Sequence, residues 1–296
     1  MNKALEQAAL NLPLRLREAV QESLIDAEEL HLRALRPLTA AGADGRERPV
    51  LRRGARVLVT EEELHLTLEL ATRASLHAVR EQLRSGFLTV PGGHRIGVVG
   101  SVDVREGRIH GLRQLSSLCL RVAHPVRNIA GALAEPLFGG EIRSALLLSP
   151  PGGGKTTLLR ELLRLASDEY GLRPCLADER GEVAGLWKGV PQFDVGEHTD
   201  VLDGCSKAEG LLLLLRSMSP QLLAADEITA PEDLDALSRA ANCAVPVLAT
   251  AHAASVAELR QRPLYRRLLE ERIFSHAVLI HRAGGRRSYE LVRLDD

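Results

Sequence analysis

Ser149-Pro150-Pro151-Gly152-Gly153-Gly154-Lys155-Thr156-Thr157 decides how this chain is read. It follows the apolar run Ala145-Leu146-Leu147-Leu148 and opens into Leu158-Leu159-Arg160-Glu161-Leu162-Leu163. Strand, glycine loop and amphipathic helix in that order are the setting of a phosphate loop. Three successive glycines let backbone N–H groups turn inward, and a helix beginning at Lys155 adds the positive end of its dipole. Together they form a nest for a nucleoside triphosphate, lined by Ser149, Pro150, Pro151, Gly152, Gly153, Gly154, Lys155, Thr156 and Thr157. Lys155 is placed to bridge the β- and γ-phosphates, and the Thr156 hydroxyl to ligate Mg²⁺. One position departs from G-x-x-x-x-G-K-[ST], because Ser149 stands where the first glycine is expected.

Around this loop the chain alternates apolar runs and helical patterns. Strands are expected over 144–148, 174–177, 222–225 and 245–249, with a terminal pair over 274–281 and 289–294 across Gly284-Gly285. Helices are expected over 155–169, 208–218, 231–241 and 255–260. Strands joined by helical crossovers make a mainly parallel sheet, which binds ligands outside the strands' carboxyl ends. Ser149, Asp178, Asp226 and Thr250 each follow such a strand. In Leu222-Leu223-Ala224-Ala225-Asp226-Glu227 an apolar strand delivers two carboxylates, Asp226 suited to the Mg²⁺ shell and Glu227 to the attacking water. Val247-Leu248-Ala249-Thr250-Ala251-His252 ends in two polar groups able to sense a γ-phosphate or position water. Asp178-Glu179-Arg180-Gly181-Glu182 sets three acids and an arginine after another strand.

The first part of the chain has a different rhythm. Loosely helical spacing over 5–20, broken at Pro13, gives two short helices. Period-two alternation then gives strands over 30–38 and 55–59, around the turn chemistry of 42–45. Thr60 with Glu63 three residues later forms a capping box, opening a helix to Thr72, and a second helix fits 75–83. Strands follow over 87–90 and 94–99 across Pro91-Gly92-Gly93, then over 108–112 and 118–122. A helix over 128–137 begins the next part. The expected organisation is a smaller α+β N-terminal domain over 1–125 and a RecA-like α/β P-loop domain over 126–296.

With 296 residues the chain is long for one core, which agrees with two domains. A net charge of −1 advertises no nucleic acid, and 3 % aromatic residues offer few platforms for stacking bases. Cys119, Cys175, Cys205 and Cys243 form no C-x-x-C pair, so they read as reduced, mostly buried small residues rather than zinc ligands or a disulfide framework. No apolar run approaches the roughly 18 residues of a spanning helix. A cytoplasmic protein without a membrane span is expected, peripheral at the inner face of the membrane through partners.

Taken together, several stretches resemble the stage III sporulation protein AA family. They are Gly86-Phe87 with Gly92-Gly93-His94-Arg95-Ile96-Gly97, the loop at 149–157, Asp178-Glu179-Arg180, and Thr199-Asp200-Val201-Leu202-Asp203-Gly204-Cys205 running on to Arg216-Ser217-Met218-Ser219-Pro220 and Asp226-Glu227. Ser149 at the head of the loop is itself a feature of that family, whereas Thr229 and Ala253 replace glycines that the resemblance leads one to expect. The resemblance implies an ATPase similar to the hexameric motors of type II and type IV secretion and pilus assembly. It implies that Glu179 or Glu182 polarises water and that Thr250 and His252 correspond to the motors' histidine segment. It also implies a homo-oligomer, a hexamer, working with membrane proteins of a channel between mother cell and forespore.

A γ-phosphoryl group leaving in a dissociative transition state needs a cation, which can come from a neighbouring subunit. Arg95, Arg121 and Arg180 are the candidates. Two other readings stay open: a RecA-like ATPase driven by nucleic acid, and a nucleotide-gated assembly scaffold with little turnover. The residues alone reach ATP or GTP hydrolysis; the resemblance points to ATP.

Overall fold

The computed structural model describes residues 3–23, 26–42, 44–72, 87–105, 108–124, 126–283 and 286–294. The chain divides into two compact units, Met1–His124 and Pro125–Asp296.

In the first unit, α1 (Lys3–Ala9) and α2 (Leu14–Ser23) are separated at Pro13, which has no N–H to continue a helix. There follow β1 (Glu29–Arg33), β2 (Thr39–Ala41), β3 (Glu47–Pro49), β4 (Leu51–Arg52), β5 (Ala55–Arg56), α3 (Glu61–Thr72), β6 (Phe87–Val90), β7 (His94–Arg105) and β8 (Arg108–Arg121). Strand order is β3-β2-β1-β8-β7-β6, antiparallel throughout. Alternation in β1 sends Leu30 and Leu32 inward, where they join Leu5, Leu16, Leu64, Ile96 and Leu120 in one core. The α3 capping box is made: the Glu63 N–H donates to Thr60 Oγ1 at 3.2 Å, and the Thr60 N–H to Glu63 Oε2 at 3.0 Å. The helix expected over 75–83 lies outside the described residues.

The strands read at 108–112 and 118–122 are one strand, β8, paired along its whole length with β7. Register shifts at Val99/Gly100, Ser101/Val102 and Asp103/Val104 interrupt the two-residue period, which is why the sequence pattern breaks there. Gly100 is required at the first shift, because a Cβ there would lie 1.9 Å from the Gln114 carbonyl oxygen.

His94 is buried at the start of β7. Its Nδ1 accepts a hydrogen bond from the Ala123 N–H at 3.0 Å, and its Nε2 finds no partner among the described residues. Burial first, and then nearby His124, hold its pKa down at about 4 from an ordinary 6.5. The folded state thus favours the neutral ring. Its contribution to stability is complete above pH 6.5 and is lost as pH falls toward 4. Between pH 7 and 4 this one group is expected to remove about 3 kcal/mol. Urea unfolding of wild type and His94→Gln over that range checks it: the variant's acid loss should be shallower by that amount, and parallel curves would exclude His94 as the cause.

The second unit contains α4 (Gly131–Phe138), β9 (Ala145–Ser149), α5 (Lys155–Asp168), β10 (Pro174–Asp178), β11 (Asp200–Asp203), α6 (Lys207–Ser217), β12 (Leu222–Ala225), α7 (Pro231–Asn242), β13 (Val247–His252), α8 (Val256–Gln261), α9 (Pro263–Glu270), β14 (His276–Ala283) and β15 (Arg286–Arg293). The sheet order is β11-β10-β12-β13-β9-β14-β15, parallel except for the last strand. Every residue of β9, β10 and β12 is buried, as strands covered on both faces must be. Leu146 and Leu148 pack toward Leu211, Leu234 and Leu237, while Ala145 and Leu147 pack toward Leu158 and Leu162 of α5. Two elements have no clear sequence signal. Edge strand β11 carries an aspartate at each end and only two apolar residues, too few to show a period, and α9 follows α8 with only Arg262 between them.

Among the described residues no helix is long and apolar enough to cross a membrane. All four cysteines are free, but only Cys175 of the four is buried; Cys119 and Cys205 are half-buried and Cys243 is exposed. The other three are less buried than their residue type suggests because they sit at a sheet surface and at chain turns.

Candidate nucleotide site

β9 ends at Ser149, and the chain turns through Pro150–Gly154 into α5. Gly152 and Gly154 adopt φ of 72° and 101°, which glycine enters without strain. Gly153 is needed for a different reason. A Cβ there would fall 2.0 Å from Ser149 Oγ, so the serine hydroxyl occupies the space that a side chain at 153 would take. That hydroxyl donates to the Pro150 carbonyl at 2.9 Å and so braces the turn. Gly154 supplies no side-chain cap for α5, which leaves the helix's first N–H groups facing the loop, ready for an anion.

Lys155 is 7 % exposed. Its ammonium donates to the Ser149 carbonyl at 3.1 Å and the Pro150 carbonyl at 3.4 Å, and stands 2.8 Å from His252 Nδ1. Burial pushes its pKa down, against Glu227 and Asp226, which push it up.

Parallel pairing carries the next groups to the same edge. Ser149 is the register partner of His252, and Ala225 that of Ala249, so Asp226 emerges beside Thr250. Asp226 accepts from Thr156 Oγ1 at 2.8 Å through one oxygen and from Thr250 Oγ1 at 2.6 Å through the other. Glu227 has φ 33°, a left-handed conformation that costs a non-glycine residue about 1 kcal/mol or more. Two acceptors hold its N–H there, Thr250 Oγ1 at 2.8 Å and Asp226 Oδ1 at 3.1 Å. Its carboxylate meets His252 Nε2 at 2.9 Å and Arg180 at 3.7 Å. His252 therefore spans Lys155 and Glu227, one ring nitrogen to each. Thr229 and Ala253, which stand where glycines were expected, both lie outside the left-handed region and add no strain.

The acids after β10 divide into different jobs. Asp178 is buried and accepts the N–H groups of Glu182, Val183, Ala184 and Gly185, so it organises the turn. Burial pushes its carboxyl pKa up against the pull of those donors. Arg160 of α5 reinforces the same turn by donating to the Val183 and Glu182 carbonyls at 2.6 and 2.8 Å. Glu179 is paired with Lys207 at the start of α6, and Lys207 also reaches Asp233 at 3.9 Å. Glu179, Arg180, Glu182, Lys207, Asp226 and Glu227 line one depression together with Asp178.

Arg95 and Arg121 belong to the first unit, where they face each other across β7 and β8. Arg121 pairs with Glu29 at 3.1 Å, and the Arg95 guanidinium lies 4.5 Å from the Phe87 ring centre. Lys207 and Arg287 stand beside the candidate site, and the sequence does not single them out. Lys207 opens α6 right after Ser206, a helix-start signal that says nothing of its partner, and Arg287 lies 134 residues from the loop atom it touches.

A family model for sporulation stage III, protein AA, matches residues 2–290. The chain belongs to this family. Stage III sporulation protein AA of Bacillus subtilis (strain 168) is 36 % identical over 293 residues, covering 96 % of this chain and 92 % of the relative. Solved structures share the fold. The pilus retraction motor PilT with bound ADP superposes with a TM-score of 0.66 at 18 % identity, covering 93 % of this chain and 82 % of PilT. The Legionella pneumophila ATPase DotB gives 0.60 at 19 % identity, over 96 % and 82 %. The α/β unit is thus a RecA-like domain with a mainly parallel sheet, preceded by a smaller antiparallel α+β unit, and the chain shares its fold with PilT and DotB.

Proposed function

We propose that this family member is an ATP hydrolase of the secretion-motor type, acting as a hexamer to power or assemble a sporulation-associated channel between mother cell and forespore. The observation that carries the hydrolase is the continuous chain Lys155–His252–Glu227–Thr250–Asp226–Thr156, each link within 2.9 Å. ATP as the nucleotide, the ring and the channel rest on the family and on the kinship of fold with PilT, whose structure holds ADP, and with DotB.

The loop N–H groups and Lys155 bind the β- and γ-phosphates. Thr156 and Asp226 offer two hard oxygen donors side by side, which suits Mg²⁺ with several retained waters, and they would hold it. When bound, Mg²⁺ neutralises phosphate charge. Glu227 orients the attacking water and takes its proton, with His252 and the Thr250-bound backbone fixing its direction. Arg180, already beside Glu227, lies on the γ-phosphate side. Glu179 and Glu182 line the same depression, and Glu179 acts on water once it parts from Lys207.

Arg95 and Arg121 are proposed to reach the nucleotide of a neighbouring subunit. Mixing Lys155→Ala with Arg95→Ala or Arg121→Ala chains is expected to restore part of the turnover that each chain lacks alone. Full activity of both arginine variants by themselves would exclude a role in trans. The partners are membrane proteins of the channel, and the location is cytoplasmic, at the inner face of the membrane through those partners.

Phosphate release measured beside light scattering, with and without Mg-ATP, tests the reading. Turnover with ATP-dependent assembly supports a motor, whereas assembly without turnover would make the chain a scaffold. Stimulation by DNA or RNA that collapses with salt would make it a nucleic-acid motor.

A further inference from the structure

The phosphate loop has two flanks. On one stand β13 and β12, carrying His252, Asp226 and Glu227. On the other, β14 pairs with β9 only as far as Leu279 opposite Leu148. The rest of β14 and the first residues of β15 continue past the sheet's carboxyl edge beside the loop. From this overhang Arg287 Nε donates to the Gly153 carbonyl at 3.0 Å. A Cβ on Gly154 would sit 2.9 Å from the same nitrogen, so glycine at 154 admits the arginine as well as the turn. The Gly153 bond engages Nε alone. The two terminal nitrogens, with four N–H donors, form no ion pair among the described residues, and the side chain is exposed.

We propose that Arg287 is a nucleotide-binding residue acting within its own subunit, on the diphosphate and ribose end of the bound nucleotide. The inference rests on the nucleotide site proposed above. There the γ-phosphate lies toward Glu227, and β9 with its loop separates that flank from Arg287. Arg287 therefore meets the opposite end, where ADP and ATP are alike. A planar guanidinium anchored through Nε keeps its outer edge for a phosphate oxygen or a ribose hydroxyl. This supplies within the α/β unit a cation that is not among Arg95, Arg121 and Arg180. Its role also differs from theirs, being nucleotide binding in place of transition-state stabilisation.

The test uses the full chain and equilibrium binding of a fluorescent ADP analogue and of ATPγS to wild type, Arg287→Ala, Arg287→Lys and Arg286→Ala. Arg286 carries the same charge on the adjacent strand position, whose side chain leaves the opposite face. Arg287→Ala is expected to weaken both nucleotides by a similar factor, about tenfold, as the loss of a charge-assisted contact at an exposed site does. Arg287→Lys should recover part of it, and Arg286→Ala should stay within about twofold. In turnover the loss should fall on KM for ATP and not on kcat. Unfolding without nucleotide should match wild type, so that a folding defect is recognised as such. Undiminished ADP affinity in Arg287→Ala overturns the inference, as does weakening of ATPγS alone or an equal loss in Arg286→Ala. Wild-type protein that binds neither nucleotide overturns the nucleotide site itself.

Discussion

Glu227→Gln is expected to lower phosphate release by about a hundredfold to ten-thousandfold, the range lost when a positioned general base is removed. ATP affinity should stay close to that of wild type. The separation of effects follows from the geometry. The backbone of residue 227 is held by Thr250 and Asp226, so an isosteric amide leaves the fold of the strand end unchanged, while the carboxylate between His252 and Arg180 loses its charge and its basicity. Light scattering should then show the variant accumulating in the nucleotide-bound assembly. Normal turnover by Glu227→Gln would remove the residue from the chemistry, and a variant assembling and turning over like wild type would favour the scaffold.

Lys155→Ala should abolish turnover and weaken both ADP and ATP by about a hundredfold or more, because the buried Lys155 ammonium, the only lysine on the loop, is the group that the proposed site sets against the phosphates. The simplest readout is thermal. At a ligand concentration about a hundred times Kd, binding to the folded state adds about 2.7 kcal/mol to stability, and the resulting rise in Tm should vanish in the variant. In the absence of nucleotide the variant is expected to remain folded. The shortened side chain leaves room beside the buried Ser149 carbonyl and the part-buried Pro150 carbonyl, where water can take the place of the ammonium. Nucleotide-dependent stabilisation persisting in Lys155→Ala would place the ligand elsewhere.

Much of the α/β unit is legible in the sequence because its signals are local. Apolar runs at 145–148, 174–177 and 222–225 are what strands covered on two faces look like, and the expected strands lie where β9, β10 and β12 are found. The capping box at Thr60 and Glu63 also needs only neighbouring residues. In contrast, β8 reads as two strands, since register shifts against β7 disturb the period without ending the pairing. Serine at position 149 illustrates both sides. Its departure from the glycine pattern is visible in the sequence, but its reason, the space it fills above Gly153, is visible only in the folded loop.

By itself, then, the sequence determined the strand, glycine turn and helix around 149–157, the acidic pair after an apolar strand and the polar pair after the next, because positive φ, helix starts and strand ends are set within a few residues. Only the tertiary structure decided which partner each charged group meets. Asp178 caps its own turn, Glu179 goes to Lys207 28 residues away, His252 spans Lys155 and Glu227, and Arg287 reaches Gly153 across 134 residues. Those meetings depend on strand order and register, which hydrophobic periodicity leaves undetermined: the same pattern of apolar strands would serve any order in the sheet.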